Sequence, residues 1–591
     1  MKEKEKSIFY KLNFLLSSKQ KIQLGILGFL LIIGIFFEML GLGVILPSLG
    51  LMVNPDVSNN FPILKPLLKK IGNPSQAQLV FYGVILLVSV YTIKTLFLIY
   101  MSWKQSKFTS EMSIEISHKL FLGYMKQPYV FHLQKNSAEL IRNIQSEVAQ
   151  FSFISQSFLA FAIESSIILG VTMMLLMVEP VGAITIVIFL SIAIYIFYKL
   201  TKDRLLEWGR QRQEHTTKSN QHLIQGLSGV KDIKILGRQE YFVKQFDHHN
   251  ILTAKIQIKS STLGLVPRSY LEFLAVVGLS GLILIMLEQQ KDFKLLIPTL
   301  GVFAASAFRM IPSANRIMTS LQGIRFSKPV IDLLYSEFKT IGDTCDYKDK
   351  KSDNFIFSDS IKLSDIYFKY PGSNTYSIEN VSIEINKGES IGLIGQSGSG
   401  KSTLVDLILG LLEQNKGNIL IDNLSEFDMN SWQMKIGYVP QAIYLTDDTL
   451  SNNIAFGIAN KDINIKRVQE CIDAAQLTQL VLELEDGLNT YVGERGVRLS
   501  GGQKQRIGIA RALYNNPDIL IFDEATSALD SNTEIEVMNS IDKLKRVKTL
   551  ILVAHRLSTL KNCDKIFTLE KGRIIKIEKH ILNGNSISNP S

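Results

Sequence analysis

The chain has 591 residues, is 46% hydrophobic and only 20% charged, and carries a formal net charge of +10. That length suggests several domains, and the apolar excess suggests that some of them are not water-soluble. The basic excess reads as Lys and Arg facing anionic lipid, so no nucleic-acid partner is expected. Cys345, Cys471 and Cys563 are scattered, show no metal spacing, and read as reduced cytosolic thiols.

Six apolar stretches are long enough for a bilayer, which needs about 20 helical residues. They fall near 22–53, 79–100, 151–178, 181–200, 269–287 and 295–317. The first is too long for the apolar part of a cleavable signal peptide and is followed by no clear cleavage site. Between the first two, Leu64, Leu67, Leu68 and Ile71 follow helical spacing beside Lys65, Lys69 and Lys70, which predicts a short amphipathic helix on the outer side. The long connections 103–150 and 201–263 are rich in Lys and Arg, as is the N-terminus. The positive-inside rule puts these segments, and after six spans the C-terminal half, in the cytosol.

The expected domains are therefore a transmembrane part at 1–325, a linker at 326–356, a nucleotide-binding part at 357–582 and a polar tail at 583–591. From Phe357 onward, short strand-like runs alternate with amphipathic helices, an α/β texture. "GQSGSGKS" at 395–402 fits G-x-x-x-x-G-K-[ST] between a strand-like run and a helix-like one. Its glycines let backbone N–H groups approach a triphosphate, Lys401 can reach the β/γ-phosphates, and Ser402 can ligate Mg²⁺. "ILIFDE" at 519–524 reads as a buried strand ending in two carboxylates. Asp523 suits the Mg²⁺ shell, and Glu524 suits the base that orients an attacking water.

"LSGGQKQRIGIARAL" at 499–513 resembles the signature segment of ATP-binding-cassette ATPases. Gln441 in "GYVPQ" is similar to their Q-loop, Ser527–Asp530 to the D-loop, and His555 in "VAHR" to the switch histidine. Tyr370 in "FKYPG" falls where the family stacks an aromatic on adenine. The resemblance implies catalytic roles for Glu524, His555 and Gln441, and Mg²⁺ contacts from Ser402, Gln441 and Asp523. It implies that ATP is held by Tyr370, Gly395, Gln396, Ser397, Gly398, Ser399, Gly400, Lys401, Ser402 and Thr403. Ser500, Gly501, Gly502 and Gln503 would cap the ATP of a second subunit, so one motor per chain implies a homodimer. The implied fold is an α-helical six-span transmembrane domain fused to a cytosolic α/β P-loop domain, the exporter arrangement. Segments 125–144 and 226–242 resemble the family's two cytoplasmic coupling loops, each ending a helix hairpin that docks on the motor.

Arg309 and Arg316 lie seven residues apart, on one face of a helix and about 10 Å from each other, with Pro312 expected to kink it. Arg268 opens the fifth span. An intramembrane arginine is costly, so either Arg309 pairs with Glu38 or Glu272, or the three arginines form a basic belt for a phosphate or pyrophosphate head group. "VPRSYLE" and "FRMIPSANRIMTS" resemble the corresponding stretches of bacterial flippases for lipid-linked oligosaccharides. That resemblance implies a polyprenyl-pyrophosphate oligosaccharide as substrate, met by Arg268, Arg309 and Arg316, and a place in the bacterial cytoplasmic membrane with both termini cytosolic. An exporter of another amphiphile, a soluble cassette ATPase and a regulated anion channel are the competing readings.

Overall fold

The computed structural model describes residues 6–53, 76–178, 180–288, 293–342, 355–524, 531–554 and 560–579. The chain divides into two compact units. The first comprises Met1–Gln127 and His132–Asp346, and the second Pro128–Phe131 and Tyr347–Ser591.

The first unit is helical. Six long helices, Ser18–Val53, Gln76–Met125, Val148–Val178, Pro180–Ser228, Gln239–Glu288 and Phe293–Phe326, stand where the six spans were expected. Among the described residues, three segments are long and apolar enough to cross a membrane by length and composition: Ser18–Gly41, Val80–Met125 and Ser137–Met173. Several helices run well past the apolar stretches, because polar residues such as those of 201–228 continue the helical turn without a breaker. The last helix is unbroken through Pro312. A further helix, Lys328–Ile341, occupies much of the stretch read as linker, with Pro329 in its first turn where a missing N–H is harmless. The amphipathic segment expected at 59–72 lies outside the described residues.

The long helices pack as pairs, Ser18–Val53 on Gln76–Met125, Val148–Val178 on Phe293–Phe326, and Pro180–Ser228 on Gln239–Glu288. A shared core of Val171, Leu190, Phe197, Leu271, Met310 and Met318 joins four of them. Ile22, Ile26, Phe29, Leu96 and Tyr195 point outward, as lipid-facing residues do. Below the apolar zone, fully buried Glu147 receives Arg212 at 3.0 Å with Arg142 at 3.8 Å. A buried charge with two cationic partners and few solvent contacts fixes register more than it adds stability.

The second unit is α/β. β1 (Ser360–Phe368), β2 (Ile378–Asn386) and β4 (Lys416–Ile421) form an antiparallel sheet in the order β2-β1-β4. β3 (Ser390–Ile394), β5 (Ile436–Val439), β6 (Ile519–Asp523), β7 (Thr549–Val553), β8 (Lys565–Glu570) and β9 (Arg573–Lys579) form a second sheet in the order β5-β6-β7-β3-β8-β9. It is parallel except for β9. Parallel strands are covered on both faces, which is why β6 and β7 are buried at every position and read as continuous apolar runs.

Candidate ATP site

β3 ends at Ile394 and the loop 395–400 turns the chain into the helix Lys401–Ile408. Gly400 has φ 104°, and a Cβ there would lie 2.7 Å from the Ser377 carbonyl, so only glycine fits the turn. Lys401, buried at the helix start, donates from Nζ to the Gly395 carbonyl at 2.8 Å and the Gln396 carbonyl at 3.1 Å. Burial lowers its pKa while Glu524 and Asp523 oppose that. Tyr370 sits edge-on to Phe368, with its hydroxyl 3.2 Å from Thr403 Oγ1, beside the first turn of the same helix.

β6 delivers Asp523 and Glu524 to this end of the sheet. Burial and the neighbouring Glu524 raise the pKa of Asp523. The Ser402 and Tyr438 hydroxyls hydrogen-bond it, the latter at 3.5 Å. Glu524 takes a left-handed φ of 52° while its N–H donates to the Val553 carbonyl at 3.0 Å. A non-glycine residue there is uncommon and is held by its surroundings. Gln441 donates from Nε2 to Glu524 Oε2 at 2.7 Å. The structure thus brings Lys401, Ser402, Asp523, Glu524 and Gln441 into one chain of contacts. Mg²⁺ takes a few hard oxygen ligands and the phosphate oxygens of its nucleotide. The Ser402 hydroxyl, the Asp523 carboxylate and the Gln441 amide oxygen are such donors, and the loop's backbone N–H groups suit phosphates, so the residues fit MgATP.

Ser500 caps the helix Gly501–Tyr514. Its hydroxyl accepts from Gln503 N–H at 3.2 Å, and Gln503 Oε1 accepts from Ser500 N–H at 2.8 Å. This capping box leaves the other first-turn N–H groups, with the positive end of the helix dipole, pointing outward. Ser527–Asp530 and His555 lie outside the described residues. Sequence reasoning passed over Asp406, whose pKa is raised to about 6 by burial, with Asp523 adding. A lone acid inside the apolar helix "TLVDLILGLL" was the available signal.

Lys94 lies 2.7 Å from Glu38 and Arg268 lies 3.0 Å from Glu272. The side chain of Arg309 lies outside the described residues. Arg316 donates to Glu164 Oε1 at 2.6 Å. Glu164, in the middle of the third apolar stretch, was not weighed from sequence.

A phosphate-binding loop, two strand-end carboxylates and a capped second helix, fused to long apolar helices, define an ATP-driven membrane transporter. Comparison with known proteins agrees. Residues 378–527 match the family model described as "ABC transporter", and residues 24–277 match "ABC transporter transmembrane region". The chain is 32% identical to an ATP-dependent lipid A-core flippase of Wigglesworthia glossinidia brevipalpis over 495 residues, 81% of this chain and 82% of that one. It is 26% identical to the protein of that name from Chromobacterium violaceum, covering 92% of each. The fold matches a bacterial Atm1-family ABC exporter with ATP bound, at a TM-score of 0.76 and 22% identity, over 94% of this chain and 96% of that one. The chain belongs to the ABC transporter family. It is an exporter of that family, an ATP hydrolase coupled to transport.

Proposed function

We propose that this exporter is a flippase that moves a polyprenyl-pyrophosphate-linked oligosaccharide across the bacterial cytoplasmic membrane, as a homodimer with its termini and ATPase domains in the cytosol. The observation that carries the reading is the asymmetry of the Arg316–Glu164 pair. The carboxylate side chain is 5% exposed and the guanidinium 59% exposed, so the pair presents its positive end outward. A guanidinium anchored at one nitrogen keeps further N–H donors for a phosphate oxygen. Arg268, paired with Glu272 yet exposed, and Arg309 complete the proposed belt.

In the motor, Lys401 and the 395–400 loop hold the triphosphate and Tyr370 meets the adenine. Ser402, Asp523 and Gln441 would hold Mg²⁺, which when bound would supply charge neutralisation at the phosphoryl oxygens. Glu524, oriented by Gln441, aligns the attacking water, and His555 supports the γ-phosphate. The partner's Ser500 and the N–H groups after it close the site. Support for the dimer comes from the second coupling segment, the short helix Val230–Ile235, where Ile235 and the flanking Leu227 and Leu236 are strongly exposed in the single chain. A contiguous apolar end of this kind marks an interaction surface. By contrast Val130, in the first coupling segment, packs against the core of its own ATPase unit.

The names of the relatives favour a second reading, a lipid A-core substrate. Purified protein in proteoliposomes, offered lipid-linked oligosaccharide or lipid A-core, separates the two by which substrate stimulates ATP hydrolysis and is flipped. Arg316→Ala strands the buried Glu164 carboxylate, a loss of roughly 3–5 kcal/mol, so its yield should collapse. Glu164→Gln with Arg316→Gln removes both charges and should restore yield and basal ATPase while abolishing flipping of the pyrophosphate lipid. Undiminished flipping by that well-folded double variant refutes the head-group role of Arg316.

A further inference from the structure

Where the helix Ser18–Val53 meets Gln76–Met125, a cavity of about 340 Å³ opens between Lys19, Gln23 and Leu27 on one side and Lys104, Lys107 and Glu111 on the other. The lining thus holds three lysines and one carboxylate. Glu111 is also engaged, since it accepts from Gln23 Nε2 at 3.0 Å and lies 3.7 Å from Lys107. The depth of the cavity follows from the helix rise of 1.5 Å per residue. Lys19 stands about 4.5 Å before the first apolar stretch at Ile22, and Lys104 and Lys107 about 6 and 10.5 Å beyond the second at Tyr100. The head-group layer of a bilayer adds roughly 5–8 Å to each side of the hydrocarbon. Lys19 and Lys104 therefore sit at head-group depth, with Lys107 one helical turn further out.

Two further features point to a lipid. Lys104 Nζ lies 5.6 Å from the Tyr100 ring and 5.3 Å from the Trp103 ring, and Lys107 lies 5.5 Å from Trp103. Tyr and Trp at this depth are the usual interfacial anchors. From the cavity mouth toward the hydrocarbon, Ile22, Ile26 and Phe29 form an exposed apolar strip on the first helix. Phosphate at the lysines and acyl chains along that strip is the placement a two-tailed lipid adopts. We propose that this cavity is a binding site for an anionic phospholipid of the phosphatidylglycerol class, on the membrane side where the N-terminus lies. It is separate from the ATP site and from the arginine belt, and it does not depend on which substrate is carried.

The test uses the full-length protein in detergent, titrated with phosphatidylglycerol or phosphatidylcholine and read by native mass spectrometry, with a photoactivatable phosphatidylglycerol to map the contact. Cross-links are expected in 19–30 and 104–111. Near a membrane surface each lysine strengthens anionic-lipid binding about fivefold, so Lys19→Gln, Lys104→Gln and Lys107→Gln together should weaken phosphatidylglycerol about a hundredfold and leave phosphatidylcholine unchanged. The three corresponding Lys→Arg changes should retain binding, and Lys21→Gln, a neighbouring cation outside the cavity, should have no effect. If the triple Gln protein extracts poorly, Lys104→Gln alone should still cut the mapped cross-link about fivefold. Unchanged cross-linking in the Gln variants overturns the site. So does an equal loss in Lys21→Gln, which means diffuse attraction, or displacement of the lipid by an equal concentration of inorganic phosphate.

Discussion

Glu524 is the residue on which hydrolysis turns. Its carboxylate is fixed by Gln441 at 2.7 Å and its backbone by Val553, so Glu524→Gln keeps shape and loses the base. ATP hydrolysis should fall by about 10²–10⁴ while ATP binding persists, measured by steady-state turnover beside nucleotide binding. Asp406 makes a pH prediction. Its pKa in the folded chain, about 6, lies above its ordinary 3.8, so the folded state holds this proton more tightly than the unfolded one. The resulting stability is complete below about pH 4 and is lost as pH rises through about 6. Asp406→Asn removes the loss. Above pH 7 it should be more stable than the parent by on the order of 1 kcal/mol, allowing for partial solvent screening. Thermal unfolding of the nucleotide-free protein at pH 4.5 and 7.5 checks this, and an equal offset at both values contradicts it.

At the scale of elements, the helix pairs depend on close approach. A Cβ on Gly209, in the helix Pro180–Ser228, would run into the Phe326 carbonyl at the end of the last long helix. A Cβ on Gly323 would lie 2.9 Å from Ser157 Oγ in the helix Val148–Val178. Backbone yields less than a side-chain tip, so Gly209→Ala should cost more than Gly323→Ala, about 1–3 kcal/mol as overpacking. Detergent-extracted yield and Tm measure the order, and a reversed order means that the helix ends can separate freely.

For the whole molecule, the capped helix at Ser500 and the Lys401 loop should serve one another across a dimer. Ser500→Arg chains mixed with Lys401→Ala chains form heterodimers with one intact composite site, whereas each parent homodimer has none. The mixture should recover up to roughly a quarter of wild-type ATPase, since half the dimers are mixed and each carries one site of two. No activity above the parents means that the sites are not shared, or that one site does not turn over alone.

The ATP-binding motifs were legible in sequence because phosphate chemistry needs fixed residue types at short, fixed spacings: Gly400, Lys401 and Ser402 are adjacent, and Asp523 and Glu524 end one apolar strand. The long helices were legible because a bilayer demands continuous apolar runs. Charge pairing was not. Glu164 and Arg316 are 152 residues apart, and Lys94 and Glu38 lie on different helices. No local spacing records which helix packs on which, so only tertiary structure set Lys94 beside Glu38 and Glu164 beside Arg316. The same holds for Gln441 on Glu524, 83 residues apart, and for the lysines of the interfacial cavity. Local chemistry is written along the chain, while long-range electrostatics is set by the packing of elements that the chain order alone leaves open.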